Sequence, residues 1–199
     1  MTAIALTHLL YLHGFRSSPR STKAQTMARC MQDWPAVVWA CPQLPESPRA
    51  VASLLKDLTR DWPPQTSAVM GSSLGGYYAT WLADQKGCRA VLLNPAVYPA
   101  RDLQPWVGRH PSWHQADEWV EVLPEHIDQM AELDVGPLQQ PENFLTFIAQ
   151  GDEVLDWREM AARYPHAGTR ILPGGDHALS DFEAHLPEIL RFLGLTDPS

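Results

Sequence analysis

Ser67-Ala68-Val69-Met70-Gly71-Ser72-Ser73-Leu74-Gly75-Gly76-Tyr77-Tyr78-Ala79 decides the fold. A short apolar run of strand type, Ser67 to Met70, feeds directly into Gly71-Ser72-Ser73-Leu74-Gly75, which has the form G-x-S-x-G. A helical segment then leaves it, from about Leu74 to Lys86, closed by Gly87. The five-residue pattern says little alone. Set between a strand and a helix, it reads as a strained turn that lifts a serine hydroxyl above the edge of a sheet. The helix N-terminus behind that turn favours developing negative charge.

The same strand-then-helix rhythm runs outward in both directions. Leu9-Leu10-Tyr11-Leu12 is a buried-strand run, and Arg20 to Gln32 places Ala24, Met27, Ala28 and Met31 on one helical face. Ala36 to Ala40 is a second strand. Ser47-Pro48 opens a helix with an N-cap and a proline in first position, carrying Val51, Leu54, Leu55 and Leu58 at helical spacing. After the central turn come strands Ala90–Leu93, Phe144–Ala149 and Thr169–Leu172, with a helix Trp157–Tyr164 between the last two. Ser180-Asp181-Phe182-Glu183 has the capping-box pattern and opens a final helix to about Leu193. Alternating strands and helices with short connections predict an α/β fold: a three-layer αβα sandwich on a mainly parallel sheet of about six strands.

At 199 residues, the chain suits one domain, residues 1–199, against about 150 residues for an average domain. Apolar residues make up 45% and charged residues 19%, ample for a core and unlike a disordered chain. With 15 Lys+Arg against 23 Asp+Glu, the net charge is −8, and no basic block exists. That composition argues against nucleic-acid and anionic-membrane partners. No apolar run approaches the roughly 18 residues of a membrane span, and no basic residue precedes the apolar N-terminal stretch as in a signal peptide. Cys30, Cys41 and Cys88 are odd in number and lack CxxC spacing, as expected of reduced thiols in a cytoplasmic protein.

One interval breaks the rhythm. Residues 99–141 hold six prolines, three of the eight tryptophans and eight acidic residues against two arginines, with no clear strand. An insertion of this length is expected to act as a cap or lid, with Trp106, Trp113 and Trp119 offering apolar surface to a substrate.

The chemistry centres on Ser73 as candidate nucleophile. A serine hydroxyl needs a positioned base, and His177 follows the last strand in the tight turn Leu172-Pro173-Gly174-Gly175-Asp176-His177, on the same sheet edge. The carboxylate that orients it should follow the fifth strand, where Asp152, Glu153 and Asp156 stand. Asp152 is favoured, and Asp156, which also suits the N-cap of the next helix, is the alternative. Ser73, Asp152, His177 is the chain order of α/β-hydrolase triads. Oxyanion donors should be the N–H of Leu74 and that of Phe15, in the His13-Gly14-Phe15 loop; a strand order 2-1-3-4-5-6 would bring the two loops side by side. His110 and His114 are spaced like zinc ligands, but Pro111 stands where a zinc protease carries its glutamate. Neither metal nor cofactor is expected.

Tyr-Leu-His-Gly-Phe, Gly-Ser-Ser-Leu-Gly-Gly-Tyr-Tyr-Ala, Leu-Asn-Pro-Ala-Val, Gly-Asp-Glu-Val-Leu-Asp and Gly-Gly-Asp-His-Ala together resemble the YqiA-type bacterial esterases. These are small α/β hydrolases that begin at what is the third strand of larger relatives. The likeness runs from Tyr11 to Leu195 and fades in 99–141. It implies carboxylesterase activity on small-molecule acyl esters of short chain length, with Ser73 and His177 at the motif positions. An acyl thioesterase, served by Arg16, Arg20 and Lys23, and a non-catalytic binding module on a hydrolase scaffold are the competing readings. Oligomeric state is open.

Overall fold

The computed structural model describes residues 5–112, 119–166 and 168–196. The chain runs β1 (His8–Leu12), α1 (Thr22–Cys30), β2 (Val38–Ala40), α2 (Pro48–Leu58), β3 (Ser67–Ser72), α3 (Leu74–Lys86) and β4 (Arg89–Leu93). It continues with α4 (Pro99–Leu103), β5 (Gly108–Pro111), β6 (Trp119–Val122), α5 (Pro124–Ala131), β7 (Phe144–Ala149), α6 (Trp157–Arg163), β8 (Gly168–Leu172) and α7 (Phe182–Leu193). Six strands form one parallel sheet in the order β2-β1-β3-β4-β7-β8.

Because the four central strands, β1, β3, β4 and β7, are buried on both faces, their side chains divide by parity between two cores. Leu9, Tyr11, Val91, Leu93, Leu145 and Phe147 pack with Met27 of α1 and with Ile189 and Leu193 of α7. Leu10, Leu12, Ala90, Leu92 and Phe144 face the opposite way, onto Val51 and Leu55 of α2 and Tyr78 and Leu82 of α3. The helical face expected of α1 is the buried one at Ala24, Met27 and Met31. Helix α2 starts as its sequence requires: Pro48 is the first helical residue, and Ser47 Oγ accepts from the N–H of Ala50. Among the described residues, no helix is long and apolar enough to cross a membrane.

Two expectations need correction. The sequence of residues 99–141 shows no clear strand, yet β5 and β6 form an antiparallel pair with His110 opposite Val120 and Arg109 opposite Glu121. The strands are only four residues long, and one contains a proline and the other opens on a half-exposed tryptophan, so they show little apolar periodicity. Ser180 does not cap α7. Its hydroxyl donates to Asp176 Oδ2 at 2.6 Å and its N–H to Oδ1 at 2.9 Å, and the helix begins two residues later at Phe182. A closer acceptor took the hydroxyl from the helix.

Candidate active site

The parallel registers place the ends of β1, β3, β4, β7 and β8 along one sheet edge, with Leu12 beside Gly71 and Ser72 beside Leu93. Ser73 turns out of β3 with φ 55° and ψ −122°, a conformation rare for a side chain with a β-carbon. Such strain costs on the order of 1–3 kcal/mol and persists only where its surroundings fix it. Here the N–H of Ser73 donates to Leu93 O, and its carbonyl accepts from the N–H groups of Gly76, Tyr77 and Ala96. Gly75 supports the turn from below: a β-carbon there would lie 2.1 Å from the carbonyl oxygen of Leu12. Gly75→Ala is therefore expected to cost at least about 3 kcal/mol, more than ordinary overpacking, because the obstacle is backbone. A urea midpoint unchanged from wild type would contradict this.

His177 Nε2 lies 2.9 Å from Ser73 Oγ, and His177 Nδ1 lies 2.8 Å from Asp152 Oδ2. The Asp152 side chain is 0% exposed and that of His177 20%. Asp152 Oδ1 is fixed by the N–H groups of Val154 and Leu155, each at 2.8 Å. A carboxylate can only accept, so Nδ1 carries the proton and Nε2 is left to accept from the serine hydroxyl. Asp156 lies outside this chain of contacts. It caps α6, accepting from the N–H of Arg158 at 2.9 Å. Glu153, the third carboxylate of that loop, accepts the backbone N–H of His177 at 3.0 Å.

The loop after β1 passes beside the serine. A β-carbon on Gly14 would lie 3.2 Å from Ser73 Cβ, so the absence of one lets Phe15 approach. His13 is buried and holds this loop. It accepts the N–H of Leu44 at Nε2, which leaves Nδ1 to donate to Gly14 O. Phe15 and Leu74 both border the same cleft as Ser73 and His177, a cavity of about 910 Å³. Among the described residues, neither N–H is used by the backbone hydrogen bonds that close the loops and helix ends.

The cleft wall is largely apolar, with Leu103, Leu155 and Phe182 beside Trp106, whose ring meets that of Phe15 edge-on at 5.8 Å. Lys23 lines it too and donates to Ala178 O; burial holds its ammonium below the usual lysine range. Hydrogen bonds from Ser180 hold Asp176 below the usual carboxylate range. Trp119 was expected to meet substrate and does not line the cleft. It is 51% exposed on β6 with the Arg109 guanidinium over its ring, because the hairpin aims its alternate residues outward. Trp113 and His114 lie outside the described residues, while His110 donates from Nε2 to Trp106 O at 2.8 Å.

Residues 8–194 match the family described as Uncharacterised protein family (UPF0227). The chain belongs to UPF0227. This is the YqiA-like family, so the resemblance carried by the motifs holds. A UPF0227 protein of Yersinia pseudotuberculosis serotype O:3 (strain YPIII) is 23% identical over 188 residues, covering 92% of this chain and 97% of its own length. Two solved structures share the architecture. Alpha/beta hydrolase domain-containing protein 10 from mouse superposes with TM-score 0.69 at 13% identity, over 94% of this chain and 90% of its own. Carboxylesterase CesB (YbfK) from Bacillus subtilis does so with TM-score 0.57 at 15% identity, over 94% and 84%. The UPF0227 chain thus has the α/β-hydrolase fold. Asn94 is the residue of this site that its sequence did not single out. It is fully buried just past the end of β4 and touches the backbone of the histidine loop on one side and the end of β7 on the other.

Proposed function

We propose that this protein is a serine carboxylesterase that cleaves small acyl esters, of short chain length, through an acyl-enzyme. The observation that carries the reading is the chain of contacts from Ser73 Oγ through His177 to buried Asp152, mounted on a strained strand–helix turn at the mouth of a cleft. Ser73 attacks the ester carbonyl and its proton passes to Nε2. The oxygen that gains charge is received by the N–H groups of Phe15 and Leu74, and a preorganised donor of this kind accounts for about 10²–10³ in rate. Nε2 then gives its proton to the departing alkoxide, leaving the acyl group on Ser73. Water repeats the sequence with His177 as base and releases the acid. No metal or cofactor takes part in these steps. The free thiols fit the cytoplasm.

A panel of chromogenic acyl esters of increasing chain length, run beside the corresponding thioesters, tests this. Turnover of short esters is expected. Absence of ester turnover together with absence of labelling by a serine-directed phosphonate would leave the fold as a binding scaffold.

In the same reading, residues 99–141 act as a cap, with Trp106 as its contact to substrate. Trp106 packs on Phe15, beside the proposed oxyanion donor, and Arg16 reaches from the same loop to Pro111 O at 2.7 Å. Trp106→Ala should change kcat/KM at least several-fold more for long than for short acyl esters, since each methylene held in an apolar pocket carries roughly 1–3 kcal/mol of discrimination. Its phosphonate labelling should continue. An unaltered chain-length profile with a lowered melting temperature would make Trp106 core filler instead.

A further inference from the structure

We infer that Asn94 is a positioning residue that sets the catalytic histidine against its carboxylate, an inference that rests on the hydrolase reading above. Its carboxamide is used on three sides. Nδ2 donates to Asp176 O at 2.9 Å and His177 O at 3.2 Å, and Oδ1 accepts the N–H of Ala149 at 2.8 Å. The backbone N–H of Asn94 adds a bond to Phe147 O at 2.9 Å. One side chain thus grips the end of β7, three residues before Asp152, and the two carbonyls that flank the base. Both amide hydrogens are engaged on a residue that is 0% exposed. Asn94 also has φ 41°, a conformation that costs energy for any residue with a side chain.

A merely structural polar group would need neither that backbone nor contacts to both a strand end and a separate loop. Asparagine is the residue whose short amide both tolerates positive φ and offers donors and an acceptor in one plane. The Ser73–His177 and His177–Asp152 contacts have tolerances of a few tenths of an ångström, so a loop freed at residues 176–177 loosens both at once. The geometry of attack suffers while the cleft that binds the ester, which Asn94 does not line, keeps its walls.

The test is a cycle of Asn94→Gly, His177→Ala and the double variant, assayed on a chromogenic short-chain ester with circular dichroism on each. Glycine accepts φ 41° without strain, so it removes the grip while easing the backbone. Asn94→Gly should lower kcat about 10–100-fold with KM within about threefold. In the His177→Ala background it should lower the residual rate less than twofold, because the group it positions is gone. Asn94→Asp keeps the acceptor for Ala149 and loses both donors, and should show the same loss of kcat at unchanged KM. Equal fold losses with and without His177, an unchanged kcat, or loss of the native fold in both Asn94 variants would each overturn the inference and make Asn94 a residue of the scaffold. Wild-type turnover in the same assay carries the hydrolase reading by itself. An active wild type with an indifferent Asn94 sinks only this inference; an inactive wild type sinks that reading and this inference with it.

Discussion

Ser73→Ala is expected to lower ester turnover by a factor of about 10⁴–10⁶ with the fold intact, the loss typical when one member of a nucleophile–base unit is removed. The change deletes a single hydroxyl whose one side-chain partner is His177 Nε2, at 2.9 Å. Alanine keeps the β-carbon, so the strain at φ 55° and the four backbone bonds that hold the turn are the same in the variant. Stability should therefore move by no more than about 1 kcal/mol, the worth of one ordinary hydrogen bond. The loss of activity and the retention of the melting temperature need to be measured on one preparation. A serine-directed phosphonate should add once per wild-type chain and not at all to the variant. Turnover by Ser73→Ala within about tenfold of wild type would remove Ser73 from the mechanism.

The sheet was readable because its central strands, β1, β3, β4 and β7, are buried on both faces. Leu9–Leu12 and Ala90–Leu93 are then short continuous apolar runs and Phe144–Ala149 is one broken only by Thr146, and the glycines and prolines between them leave little choice of boundary. The serine turn was legible for a related reason: only small residues fit where α3 starts against the carbonyl of Leu12. Features that depend on a partner far along the chain were not. Asn94 looks like a polar stop before Pro95, and its bonds to residues 149, 176 and 177 exist only after β4, β7 and β8 are side by side. Ser180 fits a helix cap until Asp176 is folded back beneath it. In the 99–141 interval, aromatic content suggested contact with substrate. Which tryptophan faces the cleft depends on the hairpin register that puts Trp119 opposite Pro111 and leaves Trp106 beside Phe15.

Asp152→Asn is expected to cost about 10⁴ in kcat, although the two side chains have the same size and the residue does not border the cleft. The two backbone N–H groups of Val154 and Leu155 both point at Oδ1, so an asparagine must keep its carbonyl oxygen there; an NH₂ in that place would face two donors. Its NH₂ is then forced toward His177 Nδ1, which can only accept from it. The imidazole proton moves to Nε2, and the atom 2.9 Å from Ser73 Oγ presents an N–H in place of a lone pair. Serine is left without a base, while ester binding and KM stay close to wild type. Asp156→Asn supplies the contrast. Asparagine caps a helix about as well as aspartate, so this variant should keep its rate within about twofold, and Asp156→Ala should cost only the roughly 0.5–2 kcal/mol of a lost cap with activity retained. Inactivation by Asp156→Asn with survival of Asp152→Asn would exchange the two roles. Equal small effects from both would mean that His177 needs no carboxylate, which the full burial of Asp152 against its Nδ1 argues against, since a buried charge is tolerated only where its partners are in place.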